Sequence, residues 1–165
     1  MALRARGALI LLVALASSSA LAQQAVFVAR HAEKLVESDN SAASPLSRQG
    51  EERARRLAAL LRDAGIRAIY TSEYPRAILT AEPLALALKV KPVPYGGDSG
   101  SLVRRLRDHH RDDVVLIVGH GNTVPEILKL LGHTVPVTIA PNEYDNLFMV
   151  VPRAGTSPTV LRLRY

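Results

Sequence analysis

The chain has 165 residues, a net charge of +6, no cysteine and few aromatic residues: five Tyr, two Phe and no Trp. Without cysteine, disulfide bonds, thiolate nucleophiles and thiolate metal sites are excluded. The mild basic excess suits a small anionic ligand. No tract of Lys and Arg interleaved with aromatic residues indicates binding to nucleic acid.

The first 22 residues have the pattern of a cleavable signal peptide. Arg4 and Arg6 precede an apolar run over residues 8–16, and the small-x-small site Ala20-Leu21-Ala22 follows. The apolar run is shorter than the roughly 20 residues that span a bilayer, so an uncleaved membrane anchor is the less favoured alternative. We therefore expect cleavage after Ala22, a periplasmic or secreted protein without stable membrane insertion, and a single domain over residues 23–165.

Apolar runs and helix signals alternate along most of the remaining chain. In chain order, the predicted elements are a strand at 25–29, a helix at 47–64, a strand at 66–70, a helix at 75–86, an extended edge segment at 89–94, a helix at 102–109, a strand at 114–118 and a helix at 123–131. Three strands without intervening helices follow, at 135–139, 147–151 and 159–163. This order predicts an α/β fold: a three-layer α/β/α sandwich whose mostly parallel sheet has an antiparallel edge.

Two of the predicted strands end in a histidine. Arg30 and His31 follow the first strand, and His120 follows the strand at 114–118. Open α/β sheets bind ligands at the carboxyl ends of their strands. We therefore expect both imidazoles to face one crevice, joined by Ser72 and Arg76 from behind the second strand.

Four short blocks of sequence carry a resemblance to a known family. They are Arg30-His31-Ala32-Glu33, Leu46-Ser47-Arg48-Gln49-Gly50, Tyr70-Thr71-Ser72 with Arg76, Thr80 and Ala81, and Val118-Gly119-His120-Gly121. In this order they resemble the histidine phosphatase superfamily, and in particular its short exported bacterial members. The resemblance implies a phosphoglycerate mutase-like fold and a phosphomonoester hydrolase that works through a phosphohistidine, with no metal and no cofactor.

The resemblance also implies roles for individual side chains. His31 is the expected nucleophile, and it must then be neutral with a free lone pair, its other nitrogen donating to a backbone carbonyl. Arg30 and Arg76 have the planar forks that bind phosphate oxygens in pairs. His120 is expected as a further, protonated donor to the phosphate, and Asn122 as its neighbour.

The acid that protonates the leaving alkoxide has three candidates in the sequence. Glu33 adjoins the nucleophile block, Asp98 lies in a Gly-rich loop, and Glu143 lies in the tail. The family often carries its acid in the region that precedes the block of the second histidine, which favours Asp98. No metal site is expected, because Asp112-Asp113 is typical of a turn before a strand.

The sequence leaves two function classes open. The first is an exported phosphatase, expected to be a monomer, that acts on a phosphorylated small molecule or an envelope glycan phosphate. The second is a non-catalytic binding protein for phosphate esters or glycan phosphates, built on the same fold. A phosphomutase is a variant of the first class, and it is less favoured because the short chain has little material for a lid over the pocket.

Overall fold

The computed structural model describes residues 25–35, 43–153 and 155–165, so the predicted signal peptide lies outside the described residues. The elements are β1 (Ala25–Arg30), α1 (Arg48–Leu61), β2 (Ile66–Thr71), α2 (Pro75–Leu88), β3 (Val93–Pro94), α3 (Ser99–His109), β4 (Val114–Gly119), α4 (Thr123–Leu130), β5 (Asn146–Val151) and β6 (Thr159–Arg164). Within these ranges, no helix has the length and apolar character needed to cross a bilayer.

The strands form one six-stranded sheet in the order β3-β2-β4-β1-β5-β6. The first four strands in this order pair in parallel, whereas β5 and β6 are antiparallel to their neighbours. This arrangement confirms the predicted mostly parallel sheet with an antiparallel edge. Because β1 and β4 are central and parallel, their carboxyl ends lie side by side at one edge of the sheet.

Helices cover both faces of the sheet, which gives the three predicted layers. Alternate residues of β1 point to opposite faces: Val26 and Val28 pack in the cluster with α3 and α4, and Phe27 and Ala29 pack in the cluster with α1 and α2. The same alternation holds along β4. Strands covered on both faces need apolar side chains at every position, which explains the uninterrupted apolar runs in the sequence.

The predicted strand at 135–139 was wrong. The segment is irregular: Val135 is 64% exposed, whereas Ile139 is buried beneath the carboxyl edge of the sheet. Pro136 lacks the N–H that a strand ladder needs. Both edges of β1 are already paired, one with β4 and the other with β5. The extended segment at 89–94 is also shorter than predicted, because only Val93–Pro94 pairs with β2.

The start of α1 is packed against the backbone that follows β1. Ser47 caps the helix by accepting a hydrogen bond from the Gly50 N–H, and its own N–H donates to the Glu33 carbonyl at 2.9 Å. A Cβ on Gly50 would lie only 2.1 Å from that same carbonyl oxygen. Glycine is therefore required at this position, and the contact holds the segment after His31 against the helix.

We expect Gly50→Ala to destabilise the protein by about 3 kcal/mol or more, because the added methyl group can be accommodated only by moving backbone. Chemical denaturation measures the change in the free energy of unfolding. Gln49→Ala is the matched control, since Gln49 is exposed on the same helical turn. A stability loss for Gly50→Ala no larger than that of the control would contradict the close packing.

Candidate active site

The carboxyl ends of β1, β2 and β4 open into a pocket of about 670 Å³. Its walls come from four segments: the end of β1, the turn into α2, the turn after β3, and the turn into α4, with Ile139 and Pro141 at one side. The structure brings together most of the site predicted from the sequence. The predicted residues that line the pocket are Arg30, His31, Ser72, Arg76, His120 and Asn122.

His31 is held as a neutral imidazole with a defined tautomer. Its Nδ1 lies 2.7 Å from the Ala32 carbonyl, which can only accept, so Nδ1 carries the hydrogen. Arg76 Nε donates to Nε2 at 3.2 Å, so Nε2 presents its lone pair. Burial lowers the pKa of His31 to about 3, against the opposing effect of the Ala32 bond and with help from the nearby positive charges. The side chain is 5% exposed.

His120 lies beside His31, with 5.1 Å between the ring centroids. Arg76 Nη2 is 3.4 Å from its Nδ1, and a guanidinium can only donate, so Nδ1 accepts. The Nε2–H then donates to Ser72 Oγ at 2.7 Å. Burial and the charges of Arg76 and Arg30 lower the pKa of His120 to about 4. This lowered pKa favours a neutral His120 before a ligand binds, and its protonation beside a bound phosphate stays a prediction.

Arg30 is anchored by backbone oxygens at one end of its guanidinium. Its Nη1 donates to the carbonyls of Ala140, Pro141 and Glu143 at 2.9–3.0 Å, and the group stacks on the Tyr144 ring at 4.1 Å. Its Nε is buried without a hydrogen-bond partner in the described residues. Such an unsatisfied buried donor costs about 1–3 kcal/mol, so this N–H is arranged for an acceptor that enters the pocket.

Neither pocket arginine forms an ion pair with a carboxylate in the described part of the chain. Arg76 contacts the two imidazoles and stacks on the Tyr74 ring at 4.4 Å. Burial lowers the pKa of Arg76, and the neighbouring Arg30 acts in the same direction. The pocket thus holds two arginines that form no ion pair with an acidic side chain of the described residues, and this arrangement favours an anionic ligand.

Two threonines position the histidines, and sequence reasoning assigned neither of them a role. Thr80 Oγ1 accepts from the Ala32 N–H at 2.9 Å and donates to the Arg76 carbonyl at 2.7 Å, so it ties the segment that follows β1 to α2. Thr123 Oγ1 accepts from the His120 N–H at 2.8 Å. The available signal for Thr80 was its position four residues after Arg76, where a threonine hydroxyl reaches the helix backbone.

Asn122 stands at the start of α4 and lines the pocket, and its side chain makes no capping bond to the helix. Its amide is thus available to a ligand together with the positive end of the helix dipole. Among the described residues, no group of three or more His, Cys, Asp or Glu side chains is arranged to hold a metal ion.

The structure brings none of the three predicted acid candidates into the pocket. Asp98 is exposed and caps α3 through bonds to Ser101. Glu33 forms a bidentate pair with Arg53 at 2.6–2.9 Å. Glu143 accepts from the Ala140 N–H and pairs with Arg164 through its side chain, so only its backbone carbonyl serves the site, as an acceptor for Arg30. Each carboxylate is therefore committed to holding a loop or helix in place.

The low pKa values of His31 and His120 predict how stability depends on pH. The unfolded chain protonates these side chains near pH 6.5, whereas the folded chain does so only near 3 and 4. Between pH 6.5 and 5 the unfolded state binds more protons, so the free energy of unfolding falls as the pH falls, by up to about 1.4 kcal/mol per pH unit for each histidine.

Denaturation curves measured across this pH range test that dependence. The double variant His31→Gln/His120→Gln should flatten the slope, whereas His109→Gln, an exposed histidine outside the pocket, should leave it unchanged. An unaltered slope in the double variant would show that the two imidazoles are not held neutral.

The solved structures agree with the fold, and the family model covers the part of the site that contains Arg30, His31, Ser72 and Arg76. The family model of the histidine phosphatase superfamily (branch 1) matches residues 26–96. No curated protein matches the sequence significantly.

Solved structures share the fold at low sequence identity. The protein histidine phosphatase SixA, complexed with tungstate, has a TM-score of 0.70 and 19% identity over 85% of this chain and 96% of its own. The α-ribazole phosphatase from Shigella flexneri has a TM-score of 0.69 and 15% identity over 86% and 96%. The SixA-type protein from Agrobacterium tumefaciens has a TM-score of 0.62 and 18% identity over 83% and 97%. The matched segment carries Arg30, His31 and Arg76, so residues 26–96 of the chain are similar to the histidine phosphatase superfamily (branch 1).

Proposed function

We propose that the protein is a phosphomonoester hydrolase in which His31 accepts the phosphoryl group and water then releases it. The observation that carries this proposal is the state of His31: neutral, with Nδ1–H bonded to the Ala32 carbonyl and the lone pair on Nε2 beside Arg76. A side chain that only bound phosphate would gain from being a cation and a donor. A nucleophile needs the opposite, a free lone pair in a fixed direction.

Binding of the phosphate group follows from the unneutralised donors of the pocket. Arg30 Nε, the Arg76 guanidinium and the Asn122 amide can each donate to phosphate oxygens, and α4 directs the positive end of its dipole to the same place. A bound dianion also brings negative charge next to His120 and thereby favours its protonation. With phosphate bound, His120 becomes a protonated donor, although burial and the arginine charges alone oppose its protonation.

The reaction proceeds by two in-line displacements. His31 Nε2 attacks phosphorus as the bond to the leaving oxygen breaks, and the resulting phosphohistidine is hydrolysed by water in the second step. The transition state is loose, with charge spread over three equatorial oxygens, so alignment and fixed positive charge supply most of the catalysis. Both arginines are held before substrate binds, Arg30 by carbonyls and Arg76 by the imidazoles.

The substrate we propose is a phosphorylated small molecule or an envelope glycan phosphate, met outside the cytoplasm. Two observations support this choice: the signal-peptide pattern of residues 1–22, and a pocket whose volume of about 670 Å³ falls within the range of small-molecule sites. The similar solved structures include proteins named for quite different phosphorylated compounds, so the shared fold does not select among them.

Hydrolysis of 4-nitrophenyl phosphate by the protein starting at Gln23 tests the proposal. We expect His31→Ala to lower kcat by about 10³-fold or more, because the covalent route is lost. We also expect a brief reaction stopped in alkali to trap an acid-labile phosphoenzyme in the unsubstituted protein and none in the variant. His31→Gln, which keeps side-chain bulk, guards against a folding defect, and His109→Ala is the control outside the pocket.

Equal hydrolysis rates in the His31 variants and the unsubstituted protein would overturn the assignment of the nucleophile. Tight phosphate-ester binding without turnover on a broad panel of phosphate esters would instead support the binding-protein alternative.

A further inference from the structure

The proposed phosphatase needs a group that delivers a proton to the leaving oxygen, since an alkoxide is otherwise a poor leaving group. Asp98, Glu33 and Glu143 are committed elsewhere in the fold. Of the residues that line the pocket, one is a carboxylic acid, Glu73. The sequence analysis did not single it out.

Glu73 stands at a fixed point on the pocket wall. It follows Ser72, whose hydroxyl accepts from His120, and it precedes Tyr74, whose ring packs against His120 with 5.1 Å between centroids. Pro75 begins α2 and holds Tyr74 in an extended conformation, with φ −74° and ψ 136°. The backbone on both sides of Glu73 is thereby held next to the histidine pair.

Glu73 and His31 line the same pocket but differ in exposure. His31 is 5% exposed, whereas Glu73 is an exposed residue. In an in-line attack the leaving oxygen lies on the side of phosphorus opposite to the nucleophile. With Nε2 on the buried side of the phosphorus, the leaving oxygen is directed towards the exposed part of the pocket lining, to which Glu73 belongs.

Glu73 also has no structural task that would account for it. In the described residues its carboxylate forms no ion pair or hydrogen bond, in contrast to Glu33, which is paired with Arg53. It does not cap α2, which begins at Pro75 after Tyr74 without a side-chain capping bond. A carboxylate left unpaired within a pocket that holds two arginines is available for a ligand.

We propose that Glu73 is the general acid of the reaction and, in the second step, its general base; this inference rests on the proposed phosphatase function. In the first step the bond from His31 Nε2 to phosphorus forms, the bond from phosphorus to the leaving oxygen breaks, and the Glu73 carboxyl gives that oxygen its proton. The products are an alcohol, the Glu73 carboxylate and a phosphohistidine that retains its Nδ1–H.

In the second step the Glu73 carboxylate takes a proton from water as the water oxygen bonds to phosphorus and the nitrogen–phosphorus bond breaks. Phosphate, neutral His31 and the Glu73 carboxyl are regenerated, so protons and charge balance over the cycle.

Substrates with different leaving groups separate proton donation from other roles. We expect Glu73→Gln to lower kcat/KM by about 10²-fold or more on an alkyl phosphate such as glycerol 2-phosphate, whose leaving group needs a proton. On 4-nitrophenyl phosphate, whose leaving group departs as a stable anion, we expect a change of less than about 3-fold, since no proton is needed there. Phenyl phosphate should fall between them, so the variant depends more steeply on the leaving group. Glu82→Gln, an exposed carboxylate on α2 outside the pocket, is the matched control.

Two results would overturn the inference. A loss of equal size on all three substrates would assign Glu73 to binding or positioning, and an unchanged rate on the alkyl phosphate would leave it without a role. The His31 variants, assayed on 4-nitrophenyl phosphate in parallel, test the phosphatase function separately. If they are inactive while Glu73→Gln behaves like the unsubstituted protein, the function stands and this inference fails.

Discussion

The hydrogen bond from His31 Nδ1 to the Ala32 carbonyl is the constraint on which the rest of the site depends. It fixes the tautomer, so that the lone pair is on Nε2, and it holds the ring in one orientation. The carbonyl can serve in this way only if the backbone on both sides of it is held. Thr80 holds the preceding peptide group by accepting from the Ala32 N–H, and the next residue, Glu33, is packed against α1 through Gly50. The tautomer and orientation of His31 thus depend on contacts that α1 and α2 make with the backbone after β1.

Charge in and around the pocket is arranged in two contrasting ways. Glu33 and Arg53, just outside the pocket, neutralise each other in a pair with a 2.6 Å contact. Arg30 and Arg76 instead are held by carbonyls, imidazole nitrogens and tyrosine faces, which fix a guanidinium without removing its charge. Burial, with the arginine charges acting in the same direction, keeps both histidines neutral. The two positive charges suit the pocket to the phosphate dianion that we propose as its ligand.

The sequence predicted the parts of the site that follow directly from strands. His31 and His120 come at the ends of apolar runs, and parallel pairing of those runs leaves little freedom in where the two rings lie. The acid could not be predicted in this way, because loop carboxylates have many possible partners. Asp98 precedes α3 and caps it, and capping is a common role for aspartate. The strand expected at 135–139 did not form: Pro136 lacks a backbone N–H, and the segment pairs with no strand of the described sheet.

The charge state of His120 shows a second limit of the sequence. A histidine beside arginines is compatible with a cation that assists them or with a neutral group, and the sequence does not show how deeply the ring is buried. Burial is the main cause of the lowered pKa of His120, and Arg76, whose Nη2 lies 3.4 Å from Nδ1, adds to it. In the phosphatase function that we propose, the negative charge of the bound phosphate acts in the opposite direction and favours protonation of His120. Protonation of His120 would then be coupled to occupancy of the pocket, so that the second histidine becomes a donor when phosphate binds.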